Sequence, residues 1–97
     1  GAAGSEEEWR KVMEQHKSSI FSMYIRARRD SAALQGKVKF KIVIDPSGQV
    51  VEVGIEFSEL KDPALEAKLV SKLKSISFPS AAVLRTTFYQ TLDFLPQ

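Results

Sequence analysis

Cysteine is absent from the 97 residues, which removes disulfides, thiolate nucleophiles and cysteine-based zinc sites together. The compartment stays open, because a cysteine-free domain suits cytosol and periplasm alike. Histidine occurs once, as His16, so no second imidazole can complete a metal site. His16 lies among polar neighbours and reads as a solvated surface side chain, which leaves the serines without an evident base. In the folded stretch glycine occurs as separated singles, Gly36, Gly48 and Gly54, so no phosphate-cradling loop is present. No apolar run approaches the roughly 18–20 residues of a membrane span. Excess charge of one sign is also lacking: 14 basic against 12 acidic residues leave a formal net charge of +2. That is too little for a strong nucleic-acid footprint. No paired carboxylates stand out, since Asp45 and Asp62 have turn and cap positions to fill. The inventory argues for neither an enzyme nor a cofactor or metal protein.

What remains is ordinary globular composition, 43% hydrophobic and 27% charged, enough for one domain with one core. Gly1 to Ser5 reads as a cloning remainder or linker end, and the domain is expected over residues 6–97. A first helix is predicted from about Glu6 to Arg29. Ser5 and Glu8 have capping-box spacing, and Glu6, Glu7 and Glu8 suit the positive end of the helix dipole. Trp9, Val12, Met13, Ile20, Tyr24 and Ala27 recur at helical spacing as a core stripe, and Arg26, Arg28 and Arg29 close the last turns.

From Lys37 the period becomes two. Val38, Phe40, Ile42 and Ile44 point one way and Lys37, Lys39 and Lys41 the other. Asp45-Pro46-Ser47-Gly48 is a turn, and a second strand carries Val51, Val53, Ile55 and Phe57 on one face, Glu52 and Glu56 on the other. Matching apolar with apolar sets Ile42 opposite Val51, Phe40 opposite Val53 and Val38 opposite Ile55. It also sets Lys41 opposite Glu52 and Lys37 opposite Glu56.

Asp62-Pro63 opens a second helix, with Asp as cap and Pro first in the helix. Leu65, Leu69, Leu73 and Ile76 form its buried stripe, Glu66, Lys68, Lys72 and Lys74 its wet one, and Phe78-Pro79 ends the segment. A third strand is expected from about Val83 to Leu95. Leu84, Phe88, Leu92 and Phe94 share one face; Arg85, Thr87, Tyr89 and Thr91 share the other. Gln90 interrupts the apolar face, where a bulge or frayed end would relieve it. The order α-β-β-α-β gives an α+β fold of two layers: a three-stranded antiparallel sheet in order 2-1-3 with two helices on one face. The third strand then lies at an edge, with few charges guarding its unpaired backbone.

A basic stripe at Lys37, Lys39 and Lys41 raises RNA binding as an alternative, with Arg85 and Tyr89 nearby. Glu52 and Glu56 neutralise it and Tyr89 is the one evident outward aromatic, so no nucleic-acid partner is expected.

The run Gly36-Lys37-Val38-Lys39-Phe40-Lys41-Ile42-Val43-Ile44-Asp45-Pro46-Ser47-Gly48-Gln49-Val50 resembles the first hairpin of TonB C-terminal domains. Ser58, the helix through Leu65 and Leu73, Phe78-Pro79 and a terminal strand ending near Phe94-Leu95-Pro96 follow in the family's order. The resemblance covers about Tyr24 to Pro96. Tyr24 is followed by Ile25 where the family commonly has Tyr-Pro, and the long leading helix is more similar to the divergent branch with AgmX/PglI-type domains. The resemblance implies a periplasmic domain at the end of an inner-membrane-anchored energy transducer, driven through its N-terminal part by an ExbB/ExbD-like complex. It implies capture of the TonB box of outer-membrane transporters for siderophores, haem or cobalamin, added as a strand to the sheet edge. The expected rail is the backbone of Arg85, Thr86, Thr87, Phe88, Tyr89, Gln90 and Thr91, with Arg85, Thr87 and Tyr89 supplying selectivity. A homodimer through the same edge is a further expectation, and an envelope adaptor in motility, secretion or cell-wall attachment the alternative function.

Overall fold

A computed structural model describes residues 6–80 and 84–96. In chain order the elements are α1 (Glu6–Arg28), β1 (Gly36–Ile44), β2 (Val50–Ser58), α2 (Pro63–Lys74) and β3 (Thr86–Phe94). The expected Ser5 cap, the cloning or linker stretch 1–5 and the expected strand start at Val83 lie outside the described residues.

α1 begins on three glutamates and ends on Arg26 and Arg28, so its side-chain charges oppose its backbone dipole at both ends. Its stripe is buried at Trp9, Met13, Ile20 and Tyr24 and half-buried at Val12 and Ala27. In α2, Asp62 Oδ1 accepts from the Leu65 amide at 3.0 Å, with Pro63 opening the helix. Leu65, Leu69 and Leu73 are buried; Ile76 is buried too, but beyond the helix end. Glu66, expected in water, is half-buried and accepts from the Ser58 hydroxyl at 2.7 Å, tying α2 to the end of β2.

The strands form one sheet in order β2-β1-β3, with β1 antiparallel to both neighbours, as the sequence predicts. Both helices cover the face carrying Val38, Phe40, Ile42 and Ile44, and one core joins them to Phe88, Leu92 and Phe94. No polar or charged residue is buried among the described residues.

The hairpin register departs from expectation. Ile42 pairs with Val53 rather than Val51, Phe40 with Ile55 rather than Val53, and Val38 with Ser58 rather than Ile55. The slip is two residues at the centre, which keeps apolar opposite apolar, as the period of two demands. One residue of the slip is present at the turn, where Ile44 pairs with Val50; a bulge adds the second, and another bulge a third at Val38. Val51 has no partner between Val50 and Glu52, and Glu56 has none between Ile55 and Phe57. Each extra residue inverts the alternation, so Val51 and Phe57 stand exposed, at 41% and 46%. Lys41 lies opposite Gly54 and reaches Glu52 diagonally at 3.7 Å; Lys37 has no cross-strand Glu56 and instead takes the Glu59 carboxylate on its amide at 2.7 Å.

Two other expectations fail along the third strand. β3 pairs with β1 over nine successive residues without a bulge, and Gln90 is kept in register with its amide group donating to the Thr91 carbonyl at 2.9 Å. Leu84 precedes the strand and is 86% exposed instead of facing the core.

The return from α2 to β3 is fastened to the hairpin turn. The Phe78 amide donates to Gly48 O at 2.8 Å, and Gln49 bridges to Ser77. Gly48 has φ of 92°, and a Cβ there would collide with the Phe78 carbonyl oxygen, so both conformation and space require glycine.

Candidate functional site: the outer edge of β3

The sheet has two edges, and they differ. β2 carries bulges at Val51 and Glu56, which kink a strand and break its row of free backbone groups. β3 is straight: its pairs run from Gly36↔Phe94 to Ile44↔Thr86 with none skipped. No strand occupies its outer side among the described residues.

α1 forms a wall beside that edge. Trp9 meets Phe88 edge to face, centroids 5.8 Å apart, and Phe21 meets Phe94 at 4.9 Å, so helix and strand run in the same direction. Between them lies a cleft of 340 Å³ lined by Arg10, Met13 and Glu14 on the helix side, with Tyr89, Gln90 and Thr91 on the strand side. Lys17 completes the wall and pairs with Glu14 at 2.7 Å, while Arg10 pairs with Glu6 at 3.5 Å. The wall is thus polar and internally paired, and it offers both signs of charge to whatever lies in the cleft.

Apart from Arg85, the predicted rail falls on one strand but on two faces. Thr87, Tyr89 and Thr91 are exposed on the helix-free side; Phe88 is buried in the core, so only its backbone belongs to the edge. Thr86 and Gln90 are half-buried. Arg85 lies before the strand, and its charge acts on Asp45 at the hairpin turn. Asp45 is held below the usual carboxylate range chiefly by the Ser47 hydroxyl, helped by the Gln49 and Ser47 amides and by Arg85, against a smaller opposing effect of burial.

The sequence reading missed the α1 wall, although Arg10, Glu14 and Lys17 recur at helical spacing as a polar row beside the core stripe. It also missed Phe57, which alternation placed inward and a bulge turns outward. Tyr24, at the position where the resemblance sets Tyr-Pro, has no exposed surface. Among the described residues no cluster of His, Asp and Glu could hold a metal ion, and no helix is long and apolar enough to cross a membrane.

Compared with protein-family models, with characterised proteins and with solved structures, the chain matches none.

Proposed function

We propose that this domain captures an extended peptide as a fourth strand on the outer edge of β3. In this reading it is the periplasmic end of a TonB-like energy transducer, and the peptide is the TonB box of an outer-membrane transporter. The observation that carries it is the contrast between edges: nine unbroken residues on β3 against two bulges on β2. Natural sheets blunt the edges they do not use, and here one edge is blunted and the other left regular. Strand addition draws affinity from backbone hydrogen bonds and selectivity from alternate side chains. The added strand would set one row of side chains against Arg10, Glu14 and Lys17 and the other beside Tyr89 on the open face. ExbB/ExbD-like partners would act through a segment N-terminal to this domain.

The test is an amide-shift and hydrogen-exchange titration of labelled domain with TonB-box peptides from several receptors. Shifts and slowed exchange confined to Thr86 through Thr91 are the expected result. Perturbation of another surface, or none at millimolar peptide, overturns the reading.

One observation favours a second reading. The Tyr24 ring is sealed in the core and its hydroxyl is engaged by Leu34, so it offers a partner nothing. An envelope adaptor using the same edge for a different extended segment is the alternative, and it predicts no response to TonB-box peptides.

A further inference from the structure

Helix α1 stays beside β3 from Phe88 to Phe94. Trp9 packs on the first of these and Phe21 on the second. From Trp9 to Phe21 the helix rises about 18 Å, and from Phe88 to Phe94 the strand advances about 20 Å, so the two elements keep pace. The row Arg10, Glu14, Lys17, Phe21 and Ile25 steps by three or four residues and keeps to one flank of the helix. Its first three members line the cleft against Tyr89, Gln90 and Thr91, so the row faces the outer edge of β3. The row begins polar and ends apolar.

Core packing does not ask for Ile25. It is 36% exposed, whereas α1 buries Trp9, Met13, Ile20 and Tyr24 on its inner stripe. It borders a hollow of 410 Å³ together with Phe21, which is half-buried and touches Phe94 at the end of β3. Arg26 and Arg29 also line that hollow, but Arg26 reaches round to the space between α1 and α2, on the other flank of the helix. The side next to β3 is thus the apolar one. An isolated exposed isoleucine means little; this one continues a ring already packed on β3, along the groove a fourth strand would fill.

A strand added outside β3 directs alternate side chains to the helix side. Beside Arg10, Glu14 and Lys17 they meet charged groups paired with Glu6 or with each other, and an apolar group there would desolvate charge without compensation. Just past Thr91 the wall changes to Phe21 and Ile25. There a polar side chain gains nothing, and an apolar one takes exposed apolar surface out of water. From Glu14 to midway between Phe21 and Ile25 the helix rises about 13 Å, or about four strand residues, and positions four apart share a face.

We infer that the peptide captured on β3 carries a bulky apolar anchor seated against Phe21 and Ile25, about four residues from a polar side chain beside Glu14. The inference rests on the reading of β3 as a peptide-capturing edge and adds a fixed position along the strand. Backbone pairing is the same for any sequence and leaves a slip of two residues open. The anchor removes that freedom, and Ile25 becomes a residue that selects the peptide.

The test uses TonB-box peptides made with leucine, serine or glutamate at each position in turn, their dissociation constants read from the β3 amide shifts. At one position leucine is expected to bind about tenfold more tightly than serine. That preference should vanish in Ile25→Ser, whose melting temperature should stay near that of the wild type because the position is exposed. Ile25→Ala, a better helix former, repeats the test if the serine variant unfolds. Peptides that shift the β3 amides with the same leucine preference in wild type and variant overturn the anchor and leave strand capture standing. Glutamate binding best at that position also overturns it, in favour of Arg26 and Arg29. Peptides that shift no β3 amide overturn the capture reading itself, and the anchor with it.

Discussion

The Tyr24 hydroxyl donates a 2.7 Å hydrogen bond to the Leu34 carbonyl oxygen, from a ring with no exposed surface. That bond joins α1 to the segment leading into β1, and Phe94 packs against the same ring with centroids 5.1 Å apart. Tyr24→Phe keeps the packing and orphans a buried carbonyl, so it should cost about 1–3 kcal/mol in urea unfolding at unchanged m-value. Tyr24→Ala also opens a cavity and should cost about 3–5 kcal/mol. Equal effects of the two would show that the hydroxyl carries the whole contribution and the ring none.

The two strand-flanking and strand-interior glycines should answer in opposite directions. Gly48→Ala forces a side chain into the Phe78 carbonyl at positive φ and should destabilise by well over 1 kcal/mol. Gly54→Ala meets no atom and should be neutral or stabilising by about 0.5–1 kcal/mol. Thermal midpoints of the two variants, measured side by side, check the pair.

In α2, Leu69 and Leu73 are each 1% exposed. Truncating either to alanine should cost about 2–5 kcal/mol by chemical denaturation, the spread reflecting how far the site collapses. Loss of less than 1 kcal/mol would remove them from the core.

Asp45 gives a pH signature. Its folded pKa is lowered, so its contribution is fully present above the unfolded value near 3.9 and is lost as pH falls through the folded value. Wild type should therefore exceed Asp45→Asn in urea midpoint at neutral pH. The gap should close only on the acid side of the ordinary carboxylate range. A carboxyl titration by NMR that placed the Asp45 midpoint at or above about 3.9 would contradict the hydrogen-bonded turn.

Trp9 is the single tryptophan, 7% exposed and packed edge to face on Phe88 of β3. Its emission should be blue-shifted in the folded state and should respond to a peptide added along β3. A peptide that shifts the β3 amides yet leaves Trp9 unchanged would show that the strand accepts it without moving its inner face.

Element order, strand order and the Asp62 cap of α2 were legible because each rests on a local or additive signal. Period fixes element type, Asp62-Pro63 fixes a helix start, and hydrophobic faces fix which side is covered. Register was legible only in parity. Val51 and Glu56 look like ordinary members of an alternating strand, and nothing in the pattern of apolar residues marks either as extra. A bulge is decided by the geometry of the whole sheet, so the outward turn of Phe57 could not be read from its neighbours. Gln90 misled in the other direction. A polar residue on an inward face suggested a break in β3, but its amide reaches the Thr91 carbonyl and the strand continues. The candidate edge was legible in outline, since strand order predicts it. The polar wall of α1 beside it depends on how the helix is rotated over the sheet.

The two bulges of β2 also limit how copies of this chain could assemble. Open-ended growth by strand pairing needs each molecule to offer one edge and accept on the other, head to tail. Here only one edge is regular. Two copies joined through β3 would present β2 at both ends of the combined sheet, and growth would stop there. Association through this sheet, where it occurred, would be capped at the pair, and a regular edge on one side alone would not build a fibre.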